Sequence, residues 1–203
     1  MARKRMGDTR RRQILDGLLE AVAKRGLQNC NMSDVAEAAG VSRGILHYYF
    51  KNKHEMIGAL VAHLRDSNLM EFKSSMDEID DPLDRLKASL WYPIQAFGQS
   101  GAVLAKVWIE FWGLAAHHSE VQKFILDVQG TLRDHFRQIV ELGVERKEFL
   151  PDINPERTAS IVLAALEGLV LQWHFNQETF SFIGEIKVLE VMLERYLKPS
   201  TLS

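Results

Sequence analysis

Asn31-Met-Ser-Asp-Val-Ala-Glu-Ala-Ala-Gly40-Val-Ser-Arg-Gly-Ile-Leu-His-Tyr-Tyr-Phe50-Lys-Asn-Lys53 is the stretch on which the reading of this chain turns. Asn31 is a good N-cap, and Asp34, three residues on, suits both a capping-box variant and the positive start of a helix. A short helix with small residues Ala36, Ala38 and Ala39 then meets Gly40, which can take the left-handed conformation that closes a tight turn. Val41 can bury beneath that turn, and Ser42 can cap a second helix. A short helix, a glycine turn and a second helix crossing it steeply make a helix-turn-helix. The second helix opens on Arg43 and Gly44. An arginine can reach guanine O6 and N7, and a glycine beside it lets the backbone approach DNA closely.

Around this stretch, apolar residues recur at helical spacing almost throughout the 203 residues. Ile14, Leu15, Leu18, Leu19 and Val22 form one stripe, ended by Gly26; Ile161, Val162, Ala165, Leu166, Leu169, Val170 and Trp173 form another. No segment alternates with period two for long, and no Asn-Gly or Asp-Gly hairpin signal occurs. The expected fold is all-α, with helices near 8–25, 32–39, 43–49, 53–76, 82–98, 102–116, 119–147, 155–177 and 183–197. Three short helices precede residue 50. The expected division is a three-helix DNA-binding head, 1–52, followed by a larger helical body, 53–203, which the resemblance given below makes the ligand-binding and dimerisation domain.

Composition supports a folded chain, with 46% hydrophobic and 26% charged residues. The net charge of −2 hides an asymmetry: residues 1–55 hold 11 Lys and Arg against 6 Asp and Glu, and the remainder holds 14 against 21. A basic head on an acidic body is the charge map of a protein whose one end meets a polyanion. The single cysteine, Cys30, excludes an intrachain disulfide and any zinc site built from several thiolates. Its place just before a helix start would lower its pKa modestly. The basic start leads into no apolar segment of signal-peptide type, and Glu167 interrupts the longest apolar run, so a cytoplasmic protein with no membrane partner is expected.

The segment resembles the TetR family of bacterial transcriptional regulators, whose signature runs approximately Thr-x-x-x-Ile-Ala-x-x-Ala-Gly-Val-Ser-x-Gly-x-Leu-Tyr-x-Tyr-Phe-x-x-Lys. The chain matches it at Val35, Ala36, Ala39, Gly40, Val41, Ser42, Gly44, Leu46, Tyr49, Phe50 and Lys53. Asn31 replaces the usual threonine and keeps the cap; His47 stands where the family usually has tyrosine. The resemblance implies that Arg43, Gly44 and His47 face the major groove. It implies that Tyr48 and the side chain or amide of Lys53 hold phosphates, and that Asn31, Ser33 and Ser42 meet the DNA backbone. Tyr49 and Phe50 are expected to lock the small head against Leu15, Leu18 and Val35. Arg3, Lys4, Arg5, Arg10, Arg11 and Arg12 are candidates for further phosphate or minor-groove contacts.

In that family the body buries a small-molecule effector that reorients the two heads of a dimer, so the resemblance also implies a small-molecule partner. Trp91, Tyr92, Phe97, Trp108, Phe111, Trp112 and Trp173 are the candidate ligand contacts, although an ordinary core role is the commoner use of such aromatic stripes. The Trp-x-x-Phe-Trp element at 108–112 is similar to the BetI-type branch, whose members sense choline, and tryptophan faces suit a quaternary ammonium; an unrelated apolar or aromatic effector is the other reading, and the more frequent one for such residues. The last two helices are apolar over much of their circumference. Ile186, Leu189, Leu193, Tyr196 and Leu197 lie along one face of the final helix, with Val188, Val191 and Met192 broadening it. The resemblance implies that these helices pair two copies into a homodimer reading a palindromic operator.

The alternatives are a small all-α enzyme and a non-catalytic small-molecule-binding helical bundle. None of the seven histidines follows a glutamate by three positions, and there is no His-Glu-x-x-His, Gly-x-Ser-x-Gly or phosphate-binding glycine loop. His117, His118 and Glu120 are the one grouping with metal-ligating chemistry. The reading is therefore a ligand-released repressor, not an enzyme, with no cofactor and no metal.

Overall fold

A computed structural model describes residues 2–27, 29–64, 70–91 and 101–198 of the chain. The described residues are helical and form no strand. The helices are α1 (Ala2–Arg25), α2 (Met32–Ala38), α3 (Arg43–Tyr49), α4 (Lys53–Leu64), α5 (Met70–Asp77), α6 (Pro82–Leu90), α7 (Gly101–Ala115), α8 (Ser119–Glu145), α9 (Pro155–Phe175) and α10 (Phe182–Leu197). The single helix expected over 53–76 corresponds to α4 and α5, with 65–69 outside the described residues. The expected helix 82–98 is described only through Leu90. The backbone of α1 begins six residues before the expected start, so the basic segment from Arg3 to Arg5 is helical.

The chain divides into two compact units, residues 1–68 with 106–125, and residues 69–105 with 126–203. The first contains the expected head and adds to it α4 and the α7–α8 junction. Its core is the stripe of α1 (Ile14, Leu15, Leu18, Ala21, Val22) closed by Val35, Leu46 and Phe50 and by Met56, Ile57 and Leu60 of α4, all buried. Phe50 therefore locks the head as expected, whereas Tyr49 is only half-buried. The Arg11 guanidinium lies over the Phe50 ring, 4.8 Å from its centre, so this arginine covers the core rather than extending from it.

Local chemistry fixes the helix ends. Asn31 Oδ1 accepts from the amides of Ser33 (2.8 Å) and Asp34 (3.2 Å), while Asp34 accepts from the Asn31 amide at 2.8 Å, a complete capping box. Gly40 has φ of +62° and lets the Val41 amide return to the Ala36 carbonyl at 2.9 Å, closing α2. Ser42 Oγ then accepts from the Ile45 amide and opens α3. Asp81, Asn154 and Ser181 cap α6, α9 and α10 in the same way, with Pro82 and Pro155 in the first turns they suit.

The second unit packs Leu83, Leu86 and Leu90 of α6, Phe136, Ile139 and Val140 of α8, Val162 and Leu166 of α9, and Ile186, Leu193 and Leu197 of α10 into one core. Within this unit Ser89 and His135 are a buried polar pair. Ser89 Oγ donates to the Arg85 carbonyl at 2.7 Å and lies 2.9 Å from His135 Nε2, so the imidazole N–H is the donor between them. By length and composition α9 is apolar enough to cross a membrane, yet Ala159, Val162, Leu163, Leu166 and Val170 lie in the core.

Candidate nucleic-acid interface

The helix-turn-helix presents one uncommitted face. Along α3, Leu46 is buried, while Arg43, Gly44, Ile45, His47 and Tyr48 are exposed. Tyr48 is 81% exposed, a level the head's packing does not require, and it makes only an edge contact with Tyr49 at 5.1 Å. A Cβ at Gly44 would meet no described atom beyond its own helix closer than Ser42 Oγ at 3.9 Å, so nothing described within the head demands glycine there. Arg43 donates from Nη2 to Ser33 Oγ, which brings the start of α3 against the start of α2. Asn31, Ser33, Ser42, Arg43, Gly44, His47 and Tyr48 thus all belong to α2, α3 or their caps, with Asn31 and Ser42 using their side-chain oxygens as caps.

Lys53 differs. Its ammonium turns inward and donates to the carbonyl of Leu27, so its side chain is not on the α3 face. Its amide lies in the first turn of α4 after Asn52, whose Oδ1 accepts from the Glu55 amide at 2.9 Å. Such amides attract anions.

The face is held by α1. Gln13 Nε2 donates to the Ala39 carbonyl at 2.7 Å, and Arg10 donates to Gln13 Oε1 at 2.8 Å. The turn after α1 is clasped from further along the chain. Gly26, with φ of +77°, ends the helix, and the Leu27 amide donates to the carboxylate of Glu110 on α7. Lys106, one turn before Glu110, reaches the Ala23 carbonyl at 3.3 Å. Sequence reasoning missed both residues. Their signal was an i, i+4 Lys–Glu pair in an otherwise apolar helix. Glu110→Ala removes the acceptor of a buried residue's amide and should lower stability by about 1–3 kcal/mol. Glu110→Gln, which keeps an oxygen there, should lose less; urea unfolding of the three chains checks the order.

Cys30 is buried against this turn. Burial pushes its thiol up and outweighs the nearby Lys53 ammonium, which reverses the lowering expected from its place before a helix.

The aromatic candidates do not form one described group. Phe111 is fully buried and, with Trp108, meets Phe124 edge-on at 6.4 and 6.2 Å; Trp112 is exposed. Trp91 and Trp173 belong to the second unit, where Trp91 Nε1 donates to Glu190 at 2.7 Å and Trp173 packs on Phe182. Tyr92 and Phe97 lie outside the described residues. His117, His118 and Glu120 line a cavity, but no group of three metal-ligating side chains converges among the described residues.

Comparison with known proteins assigns both halves. Residues 14–60 match the model of the bacterial regulatory proteins of the tetR family, and residues 95–198 match that of the BetI-type transcriptional repressor C-terminal domain. The chain belongs to the TetR family. Among its relatives, the HTH-type transcriptional regulator BetI of Serratia proteamaculans is 28% identical over 171 residues, 82% of each chain. That of Paraburkholderia phytofirmans is 27% identical over 184 residues, covering 90% of this chain and 91% of the relative. A Saccharomonospora viridis transcriptional regulator in complex with choline has the same fold, with a TM-score of 0.84 at 19% identity, over 92% of this chain and 96% of that one. So does FadR of Bacillus subtilis in complex with stearoyl-CoA, with a TM-score of 0.76 at 19% identity, over 89% and 96%. As a TetR-family member the chain is a DNA-binding transcriptional regulator.

Proposed function

We propose that the chain is a cytoplasmic repressor that binds a palindromic operator as a homodimer and is released by a small-molecule effector. The observation that carries the reading is the exposed row on α3, whose residues the head does not need for its own packing. In this reading Arg43 leaves Ser33 to take guanine O6 and N7, Gly44 lets α3 seat closely, and His47 faces the groove. Tyr48, Ser33, the caps Asn31 and Ser42, and the amide of Lys53 lie along the phosphates. Two copies pair through the outer faces of α9 and α10, placing one head on each half-site.

The effector would act through the aromatic region of α7, because the helix carrying Trp108, Phe111 and Trp112 also grips the end of α1 through Glu110 and Lys106. A ligand that binds better when α7 is displaced would loosen the head's anchorage; one that binds both states equally would change nothing. The choline-bound relative and the BetI-type C-terminal match make a quaternary ammonium the first compound to test, since it suits tryptophan faces. Trp91, Phe97 and Trp173 remain candidate contacts alongside these three.

Fluorescence anisotropy with the DNA upstream of the gene, against scrambled DNA and over a salt series, tests the reading. Preferential, salt-dependent binding is expected. Arg43→Ala should weaken operator binding by about 1–3 kcal/mol and relax preference at one base pair per half-site. Unchanged affinity and preference in that variant would remove α3 from the groove.

A further inference from the structure

Among the residues of the head whose side chains are described, two large hydrophobic side chains stand exposed, Ile45 (39%) and Tyr48 (81%), and both are on α3. The head's other described apolar side chains of that size are buried or half-buried. Tyr48 ends in a hydroxyl that can take a polar partner. Ile45 has no such group. Whatever covers this face meets only methyl and methylene groups at Ile45.

The place of Ile45 on the face is fixed by its neighbours. Its amide donates to the Ser42 cap at 3.2 Å, which makes it the third residue of α3. Leu46, next along, is fully buried. A helix turns once in about 3.6 residues, so with Leu46 inward, Gly44 and Tyr48 lie near the middle of the outward face. Arg43 and His47 then occupy one flank and Ile45 the other. The face has a polar side and an apolar side, divided by backbone that Gly44 leaves bare.

In the major groove the four bases offer an apolar side chain unequal partners. Thymine carries a methyl group at C5, whereas cytosine presents an N4 amine, adenine an N6 amine and N7, and guanine O6 and N7. A side chain without donor or acceptor gains by covering the methyl group. Against a polar edge it displaces water and returns no hydrogen bond.

We infer that Ile45 is a specificity residue that reads the 5-methyl group of one thymine in each half-site. It does so in the same half-site as the guanine taken by Arg43, from the opposite flank of α3. Gly44 matters to both residues but more to Ile45, whose side chain is the shorter and needs the closer seat. The inference rests on the reading that α3 enters the major groove, and adds a base that the polar residues do not select.

Deoxyuridine lacks that methyl group and pairs as thymidine does, which makes it the probe. Anisotropy is measured with the DNA upstream of the gene, each thymine in turn exchanged for deoxyuridine. At one position per half-site the exchange should weaken binding about fourfold, the contribution of one buried methyl group. Made in both half-sites, it should weaken binding about fifteenfold. Ile45→Ala should bind the thymine operator more weakly and bring the ratio between the two bases at that position close to one. Ile45→Val, a smaller cut that keeps the fold should alanine not, should give an intermediate ratio. Arg43→Ala should lose affinity and keep the ratio. A parent chain that distinguishes thymine from deoxyuridine nowhere, or an Ile45→Ala chain with the parent's ratio, overturns the assignment. Sensitivity at thymines that neither Ile45 variant alters would belong to DNA shape or another side chain, and overturns it as well. Operator preference that persists with deoxyuridine throughout removes this contact alone; no preference over scrambled DNA removes it together with the groove reading of α3.

Discussion

A chain carrying both Leu171→Glu and Met192→Glu will sediment as a folded monomer. Leu171 on α9 and Met192 on α10 are exposed, the latter by 62%, so neither substitution removes core packing. They belong to an apolar surface that nothing described in the chain covers. On α9, Ile161, Gly168 and Phe175 recur every seven residues with Leu171 between them, one helix face, and Phe175 is 74% exposed. On α10, Val188, Val191, Met192 and Tyr196 are exposed as well. So many large apolar side chains left exposed on two neighbouring helices are the mark of an interaction surface. At a two-fold interface each introduced carboxylate would be buried near its own copy, without a cation to pair it.

The consequence for DNA is larger than for folding. A dimer holds its second head at high effective concentration over the second half-site, and losing that linkage should lower operator affinity by about 10²–10⁴-fold. Binding to an isolated half-site should change little. Sedimentation velocity and anisotropy on full and half operators measure both. A double variant that stays dimeric would place the interface elsewhere on the chain.

The helix-turn-helix was legible because each feature that makes it is local. The Asn31–Asp34 box, the Gly40 turn and the Ser42 cap each span at most six residues, and propensity decides them without reference to the rest of the chain. Contacts across the fold were not. Lys53 meets a carbonyl 26 residues away, and Glu110 meets an amide 83 residues away. Each residue type suits a surface role as readily, so only the packing of α4 and α7 reveals the clasp. The final helix shows the same limit in apolar residues. Of the face first read as pairing two copies, Ile186, Leu193 and Leu197 lie in the chain's own core, Leu189 is half-buried, and Tyr196 is exposed. The residues read as merely broadening it, Val188, Val191 and Met192, are the exposed ones. Hydrophobic period shows that a helix is buried on two sides, not which side meets which neighbour.

Gly17→Ala should destabilise the head by about 1–3 kcal/mol, although the same exchange inside a helix ordinarily stabilises. A Cβ at residue 17 would stand 2.5 Å from Ala39 Cβ, 2.6 Å from its amide nitrogen and 2.7 Å from its Cα. Two of those atoms are backbone in the turn between α2 and α3, which cannot rotate away as a side-chain tip can. Relief requires α1 to lift from the helix-turn-helix, and lifting stretches the 2.7 Å bond from Gln13 to the Ala39 carbonyl on the same face. The head orients Arg43 and Ser33 through that packing, so operator affinity should fall together with stability. Gly7 provides the internal control: it lies in the same helix, with nothing described within 4 Å of its would-be Cβ. Gly7→Ala should therefore stabilise by about 0.5–1 kcal/mol. Urea unfolding of the two variants beside the parent decides the matter. Opposite signs are the expected result, and equal stabilisation by both would mean that α1 does not approach the turn this closely.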